Sequence, residues 1–330
     1  MTHPNDYREA LPAAADEAGW EADDSGGEAA PEAREQGAGP PWHGVRLDKA
    51  LTELAPEFSR SYLQQLVEGG HVRIDGRVVR TSSHRVRAGD RVRVELVPTQ
   101  QSRAFRPEPV PFEVVYEDEH VCVIDKRAGL VVHPGAGNWS GTLLNGLLHR
   151  DPGCAALPRA GIVHRLDKDT SGLMVVGRSL QAVTALVRAI AAREVQREYL
   201  ALAHGHWVTA QRIDAPVGRD PVVRVRMAVV PTGRPSCTDV EPIGHGSGAS
   251  ALRCLLHTGR THQIRVHLAH RGHPLLADVL YGGKPALGMT RQALHAHRLA
   301  FRHPASGELL SFRCELPSDM AAAWHQVTAA

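Results

Sequence analysis

The sequence has no Cys-x-x-Cys pair, no apolar run of about 18 residues and no basic-then-apolar start. Its cysteines, Cys122, Cys154, Cys237, Cys254 and Cys314, are scattered. Scattered thiols fit a reducing compartment and speak against a zinc ribbon or a disulfide framework. The missing apolar run argues against a transmembrane helix, and the missing leader against secretion. A cytoplasmic protein without a membrane role is expected. His262, His267, His270 and His273 cluster late in the chain. No His-Glu-x-x-His motif or Cys/His zinc spacing accompanies them, so no metal is expected. Gly135-x-Gly137 lacks a third glycine and a Gly-Lys-Ser/Thr ending, and reads as a turn rather than a phosphate loop.

What is present points to a polyanionic partner. At 330 residues the chain can hold two domains, one with a sizeable core. The net charge of +2 hides an asymmetry: residues 1–44 hold ten acids and two bases, a net −8, so the remainder carries +10. A basic body suits a phosphate-rich partner. Twenty histidines add adjustable positive charge. The acidic segment is rich in Ala, Gly and Pro, with Tyr7, Trp20 and Trp42 its bulky aromatics. It lacks the apolar surface to offset its ordering entropy, so residues 1–43 are expected to be a disordered tail.

Residues 44–97 form a compact module. Leu47, Leu51 and Leu54 have helical spacing, and Pro56 ends that run. Ser59 can cap a second helix, from Arg60 to Gly69-Gly70. Asp75-Gly76 between Val72-Arg73-Ile74 and Val78-Val79 is a strong hairpin signal. Val92 to Leu96 alternates as a strand does. Residues 98–109, with three prolines among polar residues, read as a linker. Beyond it, strands are expected at Val114–Tyr116, Val121–Ile124, Tyr199–His204 and Leu252–Leu256. Helices are expected at Gly141–Leu148, Leu180–Ala192 and Gln263–His270. The absence of a regular βαβ rhythm argues for an α+β domain over 110–330.

One stretch organises this domain: Gly161-Ile-Val-His-Arg-Leu-Asp-Lys-Asp-Thr-Ser-Gly-Leu173. A dense polar cluster lies between two apolar runs. Such groups are costly near a core unless paired or used. A strand, a charged loop and a strand are expected, with the loop at a cleft. The His-Arg-Leu-Asp and Thr/Ser-Gly pattern resembles the RluA/RluD family of pseudouridine synthases. The likeness extends to Val131-Val-His-Pro-Gly-Ala-Gly-Asn138, Arg197-Glu-Tyr199 and Thr258-Gly-Arg-Thr-His-Gln-Ile-Arg-Val-His267, and the first of these looks most like the RluD branch. The arginine-rich module resembles the S-four RNA-binding module that often precedes such domains.

The resemblance implies an α+β catalytic domain with a central, mostly antiparallel mixed sheet and flanking helices. It implies isomerisation of uridine in RNA, without a cofactor. Asp167 falls on the family's nucleophile and Arg265 on the arginine that pairs with it. Tyr199 falls on the tyrosine that stacks on the flipped base and is also implicated in removing the carbon-five proton. Arg165 fills or props open the place the nucleotide vacates. His164, Arg260 and His262 complete the expected substrate contacts, and Arg60, Arg73, Arg77 and Arg80 those of the module. The expected partner is large-subunit ribosomal RNA and the expected state a monomer. The alternatives are a tRNA-directed synthase and a non-catalytic RNA-binding assembly factor. Asp125-Lys126-Arg127 departs from the family's usual Asn-Lys-Pro, which should free that turn. Asp278 is followed by Val279 rather than proline, and Val240 replaces a usual aromatic.

Overall fold

The computed structural model describes residues 32–97, 104–135, 137–223 and 225–329. The chain divides after Val97 into two compact units.

The first unit is a four-stranded antiparallel sheet with two helices. In chain order it runs β1 (Glu32–Gly37), α1 (Leu47–Leu54), α2 (Arg60–Gly69), β2 (Val72–Ile74), β3 (Arg77–Val78) and β4 (Arg91–Leu96), with sheet order β1-β4-β2-β3. Ser59 caps α2 by accepting from Tyr62 N–H, and Gly70 closes it in the left-handed conformation. Leu47, Leu51, Leu63, Leu66, Val72, Val92 and Val94 form its core.

The expected disordered tail is corrected over its last part; residues 1–31 lie outside the described residues. Glu32–Gly37 pairs with the whole of β4, and Ala38 and Trp42 enter the core. The strand gains its place from backbone bonds and from charge rather than burial. Arg34 bonds Glu32 and Glu57, and Glu35 faces Arg91.

The second unit is built on a nine-stranded sheet. Its elements are β5 (Glu113–Glu117), β6 (Val121–Lys126), α3 (Leu143–Arg150), β7 (Ser171–Gly177), α4 (Leu180–Ala191), β8 (Gln196–His204), β9 (Gln211–Asp214), β10 (Val217–Arg219), β11 (Met227–Val229), β12 (Cys237–Gly246), β13 (Ala249–Leu256), α5 (Gln263–His270), β14 (Leu294–Arg302), β15 (Leu309–Arg313) and α6 (Ser318–Thr328). The sheet order is β5-β6-β7-β14-β8-β13-β12-β9, with β15 also on β14, while β10 and β11 form a separate hairpin. The β7–β14 pair is parallel; the other pairings described in this sheet are antiparallel.

Strand alternation sends side chains to two faces. Met174, Val176 and Ala201 pack with Leu143 and Leu147 of α3 and Leu268 of α5. Leu173, Val175 and Phe301 pack with Leu186 of α4, and Leu200 and Leu202 with Met320 and Val327 of α6. Each buried Leu, Val, Met or Phe among these contributes about 1.5–3 kcal/mol. The sheet is therefore covered on both sides, and its strand ends carry the site.

Two further expectations change. Asn145, in the capping box of α3, donates to Ala104 O and Arg106 O at 3.2 and 2.8 Å, so the end of the expected linker is tied down. The apolar lead-in is also not a strand. Arg159 and Ala160 adopt left-handed angles, and Ile162 makes one isolated bridge to Val176. The loop therefore folds back across the strand that follows it.

Candidate active site

Asp167 stands at the end of this folded-back loop, just before β7. The loop is fixed from two sides. Lys126, with no exposed surface, donates its ammonium to Arg127 O, Leu130 O and Lys168 O at 3.0, 2.9 and 3.0 Å. Burial pushes its pKa down to about 7 against the opposing charges of Asp169 and Asp167. The Asp125-Lys126-Arg127 turn is thus held, not freed, because three carbonyls need that ammonium. From the other side, Arg291 donates to Asp169 O, Gln292 to Thr170 Oγ1, and Ser171 Oγ meets His295 Nδ1. Gly172 completes the approach. A Cβ there would lie 2.3 Å from Ala296 O, so glycine lets β7 close on β14 directly beyond the loop.

Asp167 Oδ2 accepts from Arg265 Nη1 at 3.0 Å, across 98 residues of sequence. The guanidinium is not devoted to Asp167. Its Nε and Nη2 form a two-pronged pair with Asp278, both at 2.8 Å, with the Asp278 side chain 1% exposed. The two-pronged grip of Arg265 is therefore on Asp278, not on Asp167. Burial opposes the charge of Arg265, but the two carboxylates more than offset it and push its pKa up. Asp278 fixes the arginine, and the arginine offers its remaining prong to Asp167.

His262 approaches from the start of α5. Its backbone is left-handed, φ +57°, which costs a non-glycine residue about 1–3 kcal/mol. Tyr281 explains the orientation of the ring. The Tyr281 hydroxyl accepts from Met227 N–H at 2.9 Å and lies 2.8 Å from His262 Nδ1. Of the two groups described at this hydroxyl, Met227 N–H can only donate, so Nδ1 is the acceptor there for the phenol proton. The imidazole proton then sits on Nε2, which faces Asp167 Oδ1 at 3.9 Å. Burial lowers the pKa of His262, with Asp167 opposing, so the ring is a neutral donor. The Tyr281 ring also lies under the Arg265 guanidinium, 5.0 Å from Cζ to centroid.

Tyr199 on β8 is 5% exposed and lines the same cavity, whose volume is about 720 Å³. Burial pushes its phenol up to about 12; Arg197 opposes this and Asp167 reinforces it. The ring is a neutral apolar wall at ordinary pH. Arg165 and Arg260 line the cavity too, Arg165 exposed and Arg260 half-buried, with Arg260 Nε 3.4 Å from Pro235 O. His164 has one nitrogen committed: Nε2 accepts from Val175 N–H at 3.0 Å. Burial, followed by the charge of Arg197, lowers its pKa to about 3. Six arginines line the cavity against one carboxylate, Asp167, which suits a phosphate-bearing ligand.

Among the described residues, Cys237, Asp239 and His257 converge closely enough to hold a metal ion. Arg212 already takes both oxygens of Asp239, at 2.6 and 2.9 Å, and a cation there would meet that guanidinium. No cation chemistry is assigned to the cluster.

In the first unit the expected arginines separate. Arg73 and Arg77 are exposed on the β2–β3 hairpin. Arg60 bonds buried Asp48, at 3.2 and 2.8 Å, while its side chain stays 54% exposed. Arg80 closes the end of α2 through Glu68 O. Sequence reading missed Asp278 and Tyr281 as site residues. A lone acid in Leu275-Leu-Ala-Asp-Val-Leu280 was the available signal, since such an acid needs a partner.

Comparison with known proteins agrees with this geometry. Residues 120–270 match the RNA pseudouridylate synthase family and residues 45–92 the S4 domain. The chain is 49% identical over 290 residues to ribosomal large subunit pseudouridine synthase D of Xanthomonas campestris pv. campestris, covering 84% of this chain and 87% of that protein. It is 44% identical to the protein of that name in Escherichia coli K12, covering 84% and 89%. The solved structure of human RNA pseudouridylate synthase domain containing 1 aligns with a TM-score of 0.52 at 27% identity, over 65% of this chain and 89% of that one. A sheet with a half-buried carboxylate at its strand ends, joined to an S4 domain, is here the frame of an RNA uridine isomerase. The chain belongs to the RluA/RluD family of pseudouridine synthases, on its RluD branch.

Proposed function

We propose that the chain converts uridine to pseudouridine in large-subunit ribosomal RNA, with Asp167 as the carboxylate that engages the target nucleotide. One observation carries the assignment. Asp167 is the one carboxylate among the residues lining a cavity that six arginines also line, held by a single prong of an arginine that Asp278 fixes. The ribosomal target rests on the relatives called ribosomal large subunit pseudouridine synthase D. We place the enzyme in the cytoplasm, acting as a monomer. Among the described residues no helix is long and apolar enough to cross a membrane.

The reaction breaks the bond from ribose carbon one to base nitrogen one. It turns the uracil and bonds ribose carbon one to base carbon five. Carbon five then loses its proton and nitrogen one gains one, so no group is added or lost. The protein must keep a carboxylate charged, hold a detached base and exclude water. Arg265 serves the first need. Tyr199 serves the second by stacking, as aromatic rings do with flipped bases. With its phenol pushed up to about 12, Tyr199 is a platform rather than a ready base for the carbon-five proton. Arg165, Arg260 and His262 line the wall the nucleotide would meet.

The test is pseudouridine mapping of total RNA from cells lacking the gene, complemented with wild type or with Asp167→Asn. Loss of large-subunit sites restored by wild type alone supports the reading. Loss confined to tRNA would redirect the substrate. Restoration by Asp167→Asn would end the assignment of Asp167.

A further inference from the structure

Among the described residues, Arg197 is a cation without an ion-pair or hydrogen-bond partner. It is 6% exposed, and its Nε is buried with no hydrogen-bond partner. Among the described residues no carboxylate reaches its guanidinium within ion-pair distance, whereas Asp278 and Asp167 serve its neighbour Arg265. A buried guanidinium left this way is costly, and native structures rarely keep one unless a ligand completes it.

Its place in the fold says what that ligand is. Arg197 lines the Asp167 cavity. It lies two residues before Tyr199 on β8, so both side chains leave the same face of the strand, about 7 Å apart along it. A base stacked on Tyr199 would bring its own backbone phosphate within reach. The Thr258-Gly259-Arg260 turn makes room for this: a Cβ on Gly259 would lie 2.7 Å from Arg197 Nη1. Uracil offers only neutral carbonyls, which do not balance a full charge; a phosphodiester does, and its paired oxygens match the guanidinium fork.

We propose that Arg197 is a phosphate-binding residue, taking the phosphodiester beside the flipped uridine and so fixing the nucleotide over Asp167. This rests on the RNA-isomerase reading above. Arg165, Arg193 and Arg260, more open to solvent, add to the field. Arg197 is the contact made out of water, which makes it the most selective for one linkage.

The probe is a synthetic stem-loop carrying the uridine that mapping identifies. Neutral methylphosphonate linkages replace the phosphates around that uridine one at a time. With full-length wild type, one position is expected to weaken binding about ten- to a hundredfold. Arg197→Met should show the same loss on the unmodified RNA, little further loss at that linkage, and ordinary losses elsewhere. Its log–log salt slope should fall by about one unit. Arg197→Lys should recover part of the affinity, and Arg197→Gln serves if the methionine variant melts early. Independent, additive losses from variant and linkage would overturn the proposal, as would a variant that binds all the RNAs like wild type. A wild-type protein that forms no pseudouridine in the unmodified stem-loop would instead overturn the isomerase reading.

Discussion

Each unit of this protein buries an aspartate against arginine, and the two are treated differently. Asp48 has no exposed surface and collects five donors: Arg46 Nε and Nη2, Arg60 Nε and Nη2, and Gln64 Nε2, at 2.7 to 3.2 Å. Its lone pairs are spent tying α1 to α2. Asp167 keeps 15% side-chain exposure, takes one bond from Arg265 and meets His262 only at 3.9 Å. Asp278, bound on both oxygens, belongs with Asp48. A saturated carboxylate holds a fold together. A carboxylate held at one oxygen still has an edge free to react. The difference lies in coordination, because both sit beside arginine.

Removing the arginine shared by Asp167 and Asp278 should have the largest effect. Arg265→Met strands two carboxylates, and breaking such a buried pair costs about 3–5 kcal/mol. The expected result is a lower melting temperature together with a single-turnover rate down by about a thousandfold or more. The loss should be partly reversed at higher pH, because stranded carboxylates take up protons. Arg265→Lys should be milder in rate, since one prong suffices for Asp167, yet it should still melt early because Asp278 loses its fork. A lysine variant as stable as wild type would contradict the division of labour.

The Asp48 site should show itself in acid. Its hydrogen bonds, from Arg46 first, hold its pKa well below the usual carboxylate range. The stability this gives is present above the unfolded value, near 3.9, and is lost as pH falls through the folded one. About 2–3 kcal/mol of the first unit's stability should disappear below about pH 4. Exchange of the Trp42 indole N–H, which bonds Glu53 Oε2 at 2.6 Å, reports on that unit. Asp48→Asn should exchange faster at neutral pH and show a flatter acid dependence. An acid slope equal to that of wild type would contradict the Asp48 network as its source.

Tyr281→Phe should have the smallest effect. The ring under Arg265 remains, and only the hydroxyl that sets the His262 tautomer is lost. The single-turnover rate should fall about tenfold, roughly 1.4 kcal/mol, with RNA affinity unchanged. Nitrogen NMR of His262 should show the Nε2-protonated form in wild type and a mixture in the variant. A single unchanged tautomer would remove Tyr281 from the account.

The sequence displays local order well and cross-chain partnership poorly. The Asp75-Gly76 hairpin, the Ser59 cap and the Gln263–His270 helix are legible because each signal lies within a few residues. Asp167, Tyr199 and Arg265 are legible because a family pattern marks them. The Asp278 fork is not, since which carboxylate an arginine grips depends on packing between a helix and a distant turn. The β1 strand is invisible for another reason. Glu-Ala-Arg-Glu-Gln-Gly buries nothing, so it has no apolar alternation to read, and its place comes from the backbone of β4. Arg60 shows the same limit: nothing at its place in the sequence reveals that it also serves buried Asp48.

The most direct test sets Asp167→Asn beside Asp48→Asn in the full chain. For each, the single-turnover release of tritium from carbon five of uridine is measured together with the thermal unfolding of both units. The account predicts that Asp167→Asn abolishes release and leaves unfolding unchanged, with RNA affinity within a few-fold of wild type. It predicts that Asp48→Asn unfolds the first unit early while the rate at saturating enzyme persists. Substantial release by Asp167→Asn, or a catalytic loss in Asp48→Asn as deep as in Asp167→Asn, would contradict it.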